Sequence, residues 1–134
     1  MAKEKLKRVT WQFTDKCNVE PMCGYCIRGE STVHPDTDVT KEIIKELGRL
    51  EGVWRISFTG GEPTDVPGFF TDIIPYFLGA TNHLYSVVTN FTSQQEDLVR
   101  LVRESEQRLE ILCASYHLKF NDPDTFIEKA AAID

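Results

Sequence analysis

Long apolar runs are missing from this chain. No stretch approaches the ~20 residues that span a bilayer, so a helical membrane span is excluded. Met1-Ala2-Lys3-Glu4-Lys5 holds no apolar core of the kind a secretory signal needs, and the expectation is a cytoplasmic protein with reduced thiols. Positive charge is also short: 15 Lys and Arg against 21 Asp and Glu leave a formal net charge of −6, which argues against a nucleic-acid-binding surface. The one basic cluster, Lys3, Lys5, Lys7 and Arg8, reads as a solvated terminus in preference to a phosphate-binding arm. There is no low-complexity segment and no sequence-level repeat. With 41% apolar and 27% charged residues, wholesale disorder is excluded too. Cysteine is scarce, four in 134 residues. In a reducing compartment those four point to metal binding, catalysis or burial rather than to disulfides.

What is present is an alternation of strand-like and helix-like segments. Val9 to Phe13 reads as a strand, and Thr40 to Leu50 as a helix with Ile43, Ile44, Leu47 and Leu50 at helical spacing. Val53 to Phe58 is a second strand, stopped by Gly60-Gly61. Pro67 to Leu78 is a second helix, which Pro75 should kink or shorten. Leu84 to Thr89 is a third strand. Ser93 and Glu96 have capping-box spacing at the head of a third helix. Leu109 to Tyr116 is a fourth strand, and Asp122-Pro123 supplies the cap and first position of a last helix. Four β-α units with short connections predict one α/β domain over 1–134 with a parallel sheet and right-handed crossovers.

One connection is long, Thr14 to Val39, and it carries three of the four cysteines: Cys17, Cys23 and Cys26. Active sites of parallel α/β folds gather where strands end and helices begin. There lie the cysteine loop after the first strand, Gly60-Gly61-Glu62-Pro63 after the second, Thr89-Asn90 after the third, and Ser115, Tyr116 and His117 at the end of the fourth. Thiolates suit iron–sulfur clusters and zinc. Three clustered thiolates can hold three irons of a cubic cluster and leave the fourth iron open. A closed zinc site is the alternative, with Cys113, His34 or His117 as fourth ligand. Cys113 by itself reads as a small buried apolar residue. Trp11 and Trp54 read as packing between sheet and helices.

Taken together, these residues resemble the radical S-adenosylmethionine (SAM) superfamily. Thr14-Asp15-Lys16-Cys17-Asn18 looks like the family's lead-in, and Tyr25 occupies the aromatic position before the last cysteine. The departure is the first gap, where five residues separate Cys17 from Cys23 instead of the usual three. The resemblance implies that Cys17, Cys23 and Cys26 bind a [4Fe-4S] cluster whose fourth iron is chelated by SAM. Reductive cleavage of SAM then yields a 5′-deoxyadenosyl radical that abstracts hydrogen from a substrate.

Roles for the remaining residues follow from the same resemblance. Gly60 and Gly61 let backbone approach SAM, Glu62 accepts from the methionyl ammonium, Pro63 fixes the turn, and Tyr25 packs over the cluster. Asn90, Ser115 and His117 reach the ribose or the substrate. For Asn90 an Asx turn is the competing reading, and for His117 a structural polar residue at a strand end. An electron donor of flavodoxin or ferredoxin type and a small-molecule or peptide substrate are the implied partners.

The implied fold is a partial TIM-type barrel. The family core usually has six βα units, and about four are expected here, so the fourth strand is expected to form an unpaired edge. Truncation is the preferred account. A minimal enzyme with an incomplete pocket, or two chains pairing edge to edge as a homodimer, are the others. Beside the enzyme stand two further classes: an iron–sulfur or zinc module without SAM chemistry, and a degenerate relative that binds no metal.

Overall fold

The computed structural model describes residues 5–18, 33–118 and 121–134. Cys23, Cys26 and Tyr25 lie outside the described residues. Four strands form one sheet in the order β1-β2-β3-β4, and every neighbouring pair is parallel. They are β1 (Lys7–Thr14), β2 (Trp54–Gly60), β3 (Leu84–Thr89) and β4 (Leu109–Ala114). Each is followed by a helix: α1 (Thr37–Leu47), α2 (Ile74–Ala80), α3 (Gln95–Ser105) and α4 (Pro123–Ile133). This is the expected α/β architecture, a partial (βα) barrel of four units.

Alternation along the strands decides which face is covered. Phe13, Ile56, Phe58, Tyr85 and Val87 are buried at period two and face the helices. Phe58 sits at the centre, with ring centroids 5.3 Å from Trp11, 5.3 Å from Phe13 and 5.6 Å from Phe77. Ile44 of α1, Phe69, Ile73 and Phe77 of the second helical segment, and Leu101 of α3 close the core over them. Trp11 and Trp54 pack at its margin, as expected.

Local chemistry sets the helix boundaries. Asp36 caps α1, its carboxylate accepting from the backbone N–H of Asp38 at 2.9 Å and of Val39 at 3.0 Å. The helix therefore starts three residues before the expected Thr40. The second segment splits at Pro75: a π-helical turn, Phe69–Ile73, precedes α2. Asp122 caps α4 through the N–H of Thr125 at 2.9 Å, with Pro123 at the first position.

Three expectations are corrected. The Ser93–Glu96 capping box does not form, because Gln94 is the N-cap of α3 and the Ser93 hydroxyl donates instead to Thr64 Oγ1 at 2.7 Å. β4 ends at Ala114, so Tyr116 lies beyond it. Cys113 is exposed rather than buried. Among the described strands β4 pairs only with β3, and Ile111 and Cys113 are exposed together with Val88 of β3, the register partner of Cys113, on the face of the sheet away from the helices. No described helix is long and apolar enough to cross a membrane.

Candidate active site at the carboxyl ends of the strands

The site begins with a bulge. Gln12 pairs with Thr59 and Thr14 with Gly60, so Phe13 is the extra residue in β1. The bend aims the Thr14 carbonyl at the turn after β2, where it accepts from the Gly61 N–H at 2.7 Å. The Lys16 carbonyl accepts from the Glu62 N–H at 2.8 Å. Both glycines are required by this approach. A Cβ on Gly60 would lie 1.9 Å from the Thr14 oxygen, and one on Gly61 would lie 2.1 Å from the Lys16 oxygen. Gly60 also has φ +129°, a conformation that L side chains rarely adopt. The close approach that Gly60-Gly61 permits here is by the chain's own backbone, at the residue before Cys17.

Glu62 is 1% exposed, and its carboxylate gathers four donors. Oε2 accepts from the Thr64 hydroxyl at 2.5 Å, the Thr89 hydroxyl at 2.6 Å and the Thr64 N–H at 3.3 Å; Oε1 accepts from the Asn90 N–H at 2.6 Å. Burial pushes the carboxyl above its ordinary value, and the bonds from Asn90, Thr64 and Thr89 pull it back. Three of the four donors fall on Oε2 and one on Oε1, so Oε1 keeps acceptor capacity for a further donor. Glu62 thereby locks the turn after β2 to the end of β3. Pro63 opens the helical turn that Glu62 caps.

Asn90 is 5% exposed. Its Oδ1 accepts from the Thr92 N–H at 3.2 Å, which is the Asx turn, and from the Thr92 hydroxyl at 2.7 Å. Its Nδ2 donates to Asn18 Oδ1 at 2.8 Å and to Cys17 Sγ at 3.7 Å. Asn18 Nδ2 donates to Thr92 Oγ1 at 2.8 Å and closes the ring. Cys17 is thus flanked by the ends of β1, β2 and β3, and it is of intermediate exposure.

His34 has both ring nitrogens engaged, with Nδ1 3.1 Å from Thr14 Oγ1 and Nε2 3.3 Å from Asp65 Oδ2. That occupancy leaves it poorly placed as a zinc ligand. Ser115 lies directly past β4, its N–H donating to the Thr89 carbonyl at 2.8 Å. The His117 N–H donates to Asn121 Oδ1 at 2.6 Å, and Asn121 Nδ2 donates to the Asn90 carbonyl at 3.2 Å. The fourth strand end is so joined to the third. Beside Asn18 opens a cleft of about 390 Å³ lined by Thr64, Asp65, Thr92 and Ser93 among others.

The structure therefore brings Cys17, Gly60, Gly61, Glu62, Pro63 and Asn90 to one rim, with Ser115 and His117 bonded to its far side. Sequence reasoning named Thr14, Asn18 and Thr89 without this bracing role and missed Thr64 and Thr92. The signal of those two was position alone, each lying next to a residue already singled out. Among the described residues no three His, Cys, Asp or Glu side chains lie close enough to hold a metal ion. The donor set still suits a soft-ligand cluster, because the described member is a thiol with an amide N–H directed at its sulfur.

No curated protein matches this chain. The family model of the radical SAM superfamily matches residues 11–131, from the middle of β1 to the last helix. That span includes the bulge, the cysteine loop, the double-glycine turn and the Asx turn, and the chain belongs to the radical SAM superfamily.

Proposed function

We propose that the chain is a radical SAM enzyme in which Cys17, Cys23 and Cys26 ligate a [4Fe-4S] cluster. Gly60, Gly61, Glu62 and Pro63, with Tyr25, Asn90, Ser115 and His117, form the surroundings of SAM. Bound there, the cluster and SAM supply reductive cleavage of a carbon–sulfur bond and hydrogen abstraction from a small-molecule or peptide substrate. The electron comes from a flavodoxin- or ferredoxin-type donor.

One observation supports this reading above the others: the backbone before the first loop cysteine is hydrogen-bonded to the Gly-Gly-Glu-Pro turn, as Gly61 to Thr14 and Glu62 to Lys16. The chain's own part follows from it. Gly60 and Gly61 seat the cysteine loop against the end of β2. Glu62 holds that turn to β3. Asn90 and Asn18 fix the start of the loop. A rim so braced presents its thiol in one position, which is what orienting a reaction demands.

The test is electron paramagnetic resonance on anaerobically reconstituted, reduced protein with and without SAM. A [4Fe-4S]⁺ signal that changes on adding SAM supports the proposal. A signal indifferent to SAM leaves an electron carrier, and no cluster at all favours zinc or a degenerate domain. Iron and sulfide content should vanish in Cys17→Ala, Cys23→Ala and Cys26→Ala and persist in Cys113→Ala. Loss in the last would make all four cysteines ligands and close the open iron.

A further inference from the structure

We infer that Asn90 is a positioning residue for the cysteine-bound cluster: its amide N–H donates to the Cys17 sulfur and holds the cluster's reduction potential up. The inference rests on the cluster assignment above and assigns Asn90 a task different from contact with ribose or substrate.

An amide presents an oxygen on one side and two N–H groups on the other, and neighbours decide which way it points. Here the backbone N–H of Thr92 can only donate, and it lies 3.2 Å from Oδ1. A flipped amide would set two donors against each other. The NH₂ group is thereby directed away from Thr92, with one N–H on Asn18 Oδ1 at 2.8 Å and the other toward Cys17 Sγ at 3.7 Å. The main chain of Asn90 is fixed as well, its N–H on Glu62 Oε1 and its carbonyl on Asn121 Nδ2. A side chain 5% exposed and held on all sides keeps its donor on the sulfur without reorganising.

Hydrogen bonds to cluster sulfurs are one of the protein's means of setting the potential. One added electron raises the negative charge on iron and sulfur, and an N–H dipole directed at that sulfur stabilises the more negative state more. Removing the donor makes reduction harder.

The experiment is a mediated redox titration of the reconstituted full chain, followed by the [4Fe-4S]⁺ resonance without SAM, for wild type, Asn90→Ala and Asn90→Asp. Asn90→Asp keeps the Oδ1 acceptor and the shape but loses the donors. At the wild-type midpoint, the reduced-to-oxidised ratio should fall about tenfold in Asn90→Ala, equivalent to ~59 mV for one electron. It should fall further in Asn90→Asp, which also adds negative charge. Full iron content with an unmoved midpoint in either variant overturns the inference and makes Asn90 merely structural. Should both variants lose their iron, the wild-type [4Fe-4S]⁺ is examined instead by electron–nuclear double resonance after ¹⁵N-asparagine labelling, and absence of a ¹⁵N coupling is equally fatal. A wild-type protein that assembles no cluster sinks the functional reading itself, an outcome separate from any of these.

Discussion

Both ends of the sheet carry polar networks, and they close in different ways. At the amino end, Arg108 donates to the carbonyls of His83 at 2.7 Å, Thr81 at 2.9 Å and Leu78 at 3.2 Å. His83, 1% exposed, accepts the Trp54 N–H at Nδ1 and donates from Nε2 to the Leu47 carbonyl. Three of the acceptors around Arg108, beside the Thr81 hydroxyl, and both partners of His83 are main-chain groups at element ends. At the carboxyl end side chains also bond to one another, and the links run from Glu62 through the Thr89 hydroxyl and the Asn90 backbone N–H to the Asn90 amide and a cysteine sulfur. A network that ends on backbone is finished within the fold. One that ends on a reactive group holds that group in place, and the two ends of the sheet differ in this independently of any motif.

The largest effect is expected at the amino end. Arg108→Met leaves three carbonyls without their charged donor and should cost about 3 kcal/mol in urea unfolding. Iron bound per folded chain should stay at the wild-type value; a loss of iron in step with stability would show that the two ends are not separable.

Tyr85, near the amino end of β3, sharpens the contrast through pH. Its hydroxyl is paired with Ser105 Oγ, and burial raises its ionisation to about 12. A raised value means that its contribution is fully present below pH ~10, the unfolded value, and is lost as pH climbs through about 12. By about pH 11.5 the wild type should lose about 2 kcal/mol that Tyr85→Phe does not lose. Urea midpoints of both proteins at pH ~9 and ~11.5 provide the check.

At the carboxyl end, Gly61→Ala forces a Cβ onto the Lys16 carbonyl. We expect about 2 kcal/mol of destabilisation together with loss of most of the bound iron, the opposite signature to Arg108→Met. Retained iron would show that the Lys16–Glu62 contact does not seat the cysteine loop. The smallest effect belongs to Ser93→Ala, at under about 1 kcal/mol. A double-mutant cycle should couple Ser93 to Thr64 and show no coupling to Glu96.

That last pair shows where sequence was readable and where it was not. Periodicity placed the four strands and four helices, since Ile44, Phe58 and Leu98 sit where period 3.6 or 2 puts buried residues. Asp122-Pro123 capped its helix as local chemistry requires. Ser93 did not, because Thr64, 29 residues away, offered its hydroxyl a partner, and no local pattern encodes such a neighbour. Cys113 was misjudged for a related reason: its strand reads as apolar, but burial depends on which face of the sheet is covered, and Val88 beside it is exposed too. In the site, Gly60-Gly61-Glu62-Pro63 was legible as a unit. The use of its glycines against Thr14 and Lys16 was not, because the bulge at Phe13 that brings those carbonyls close is a property of two paired strands.

A polypeptide leaves the ribosome amino end first, at ~5–20 residues per second. Cys17 precedes its amide donor Asn90 by 73 positions, roughly 4–15 seconds of synthesis. Until Gly60 and Glu62 emerge the thiol has no bulge partner and no bracing carboxylate, and for the whole interval it lacks the Asn90 N–H. Iron delivered to such a nascent chain would meet loose cysteines, whereas iron delivered after the third βα unit is complete would meet a seat already built.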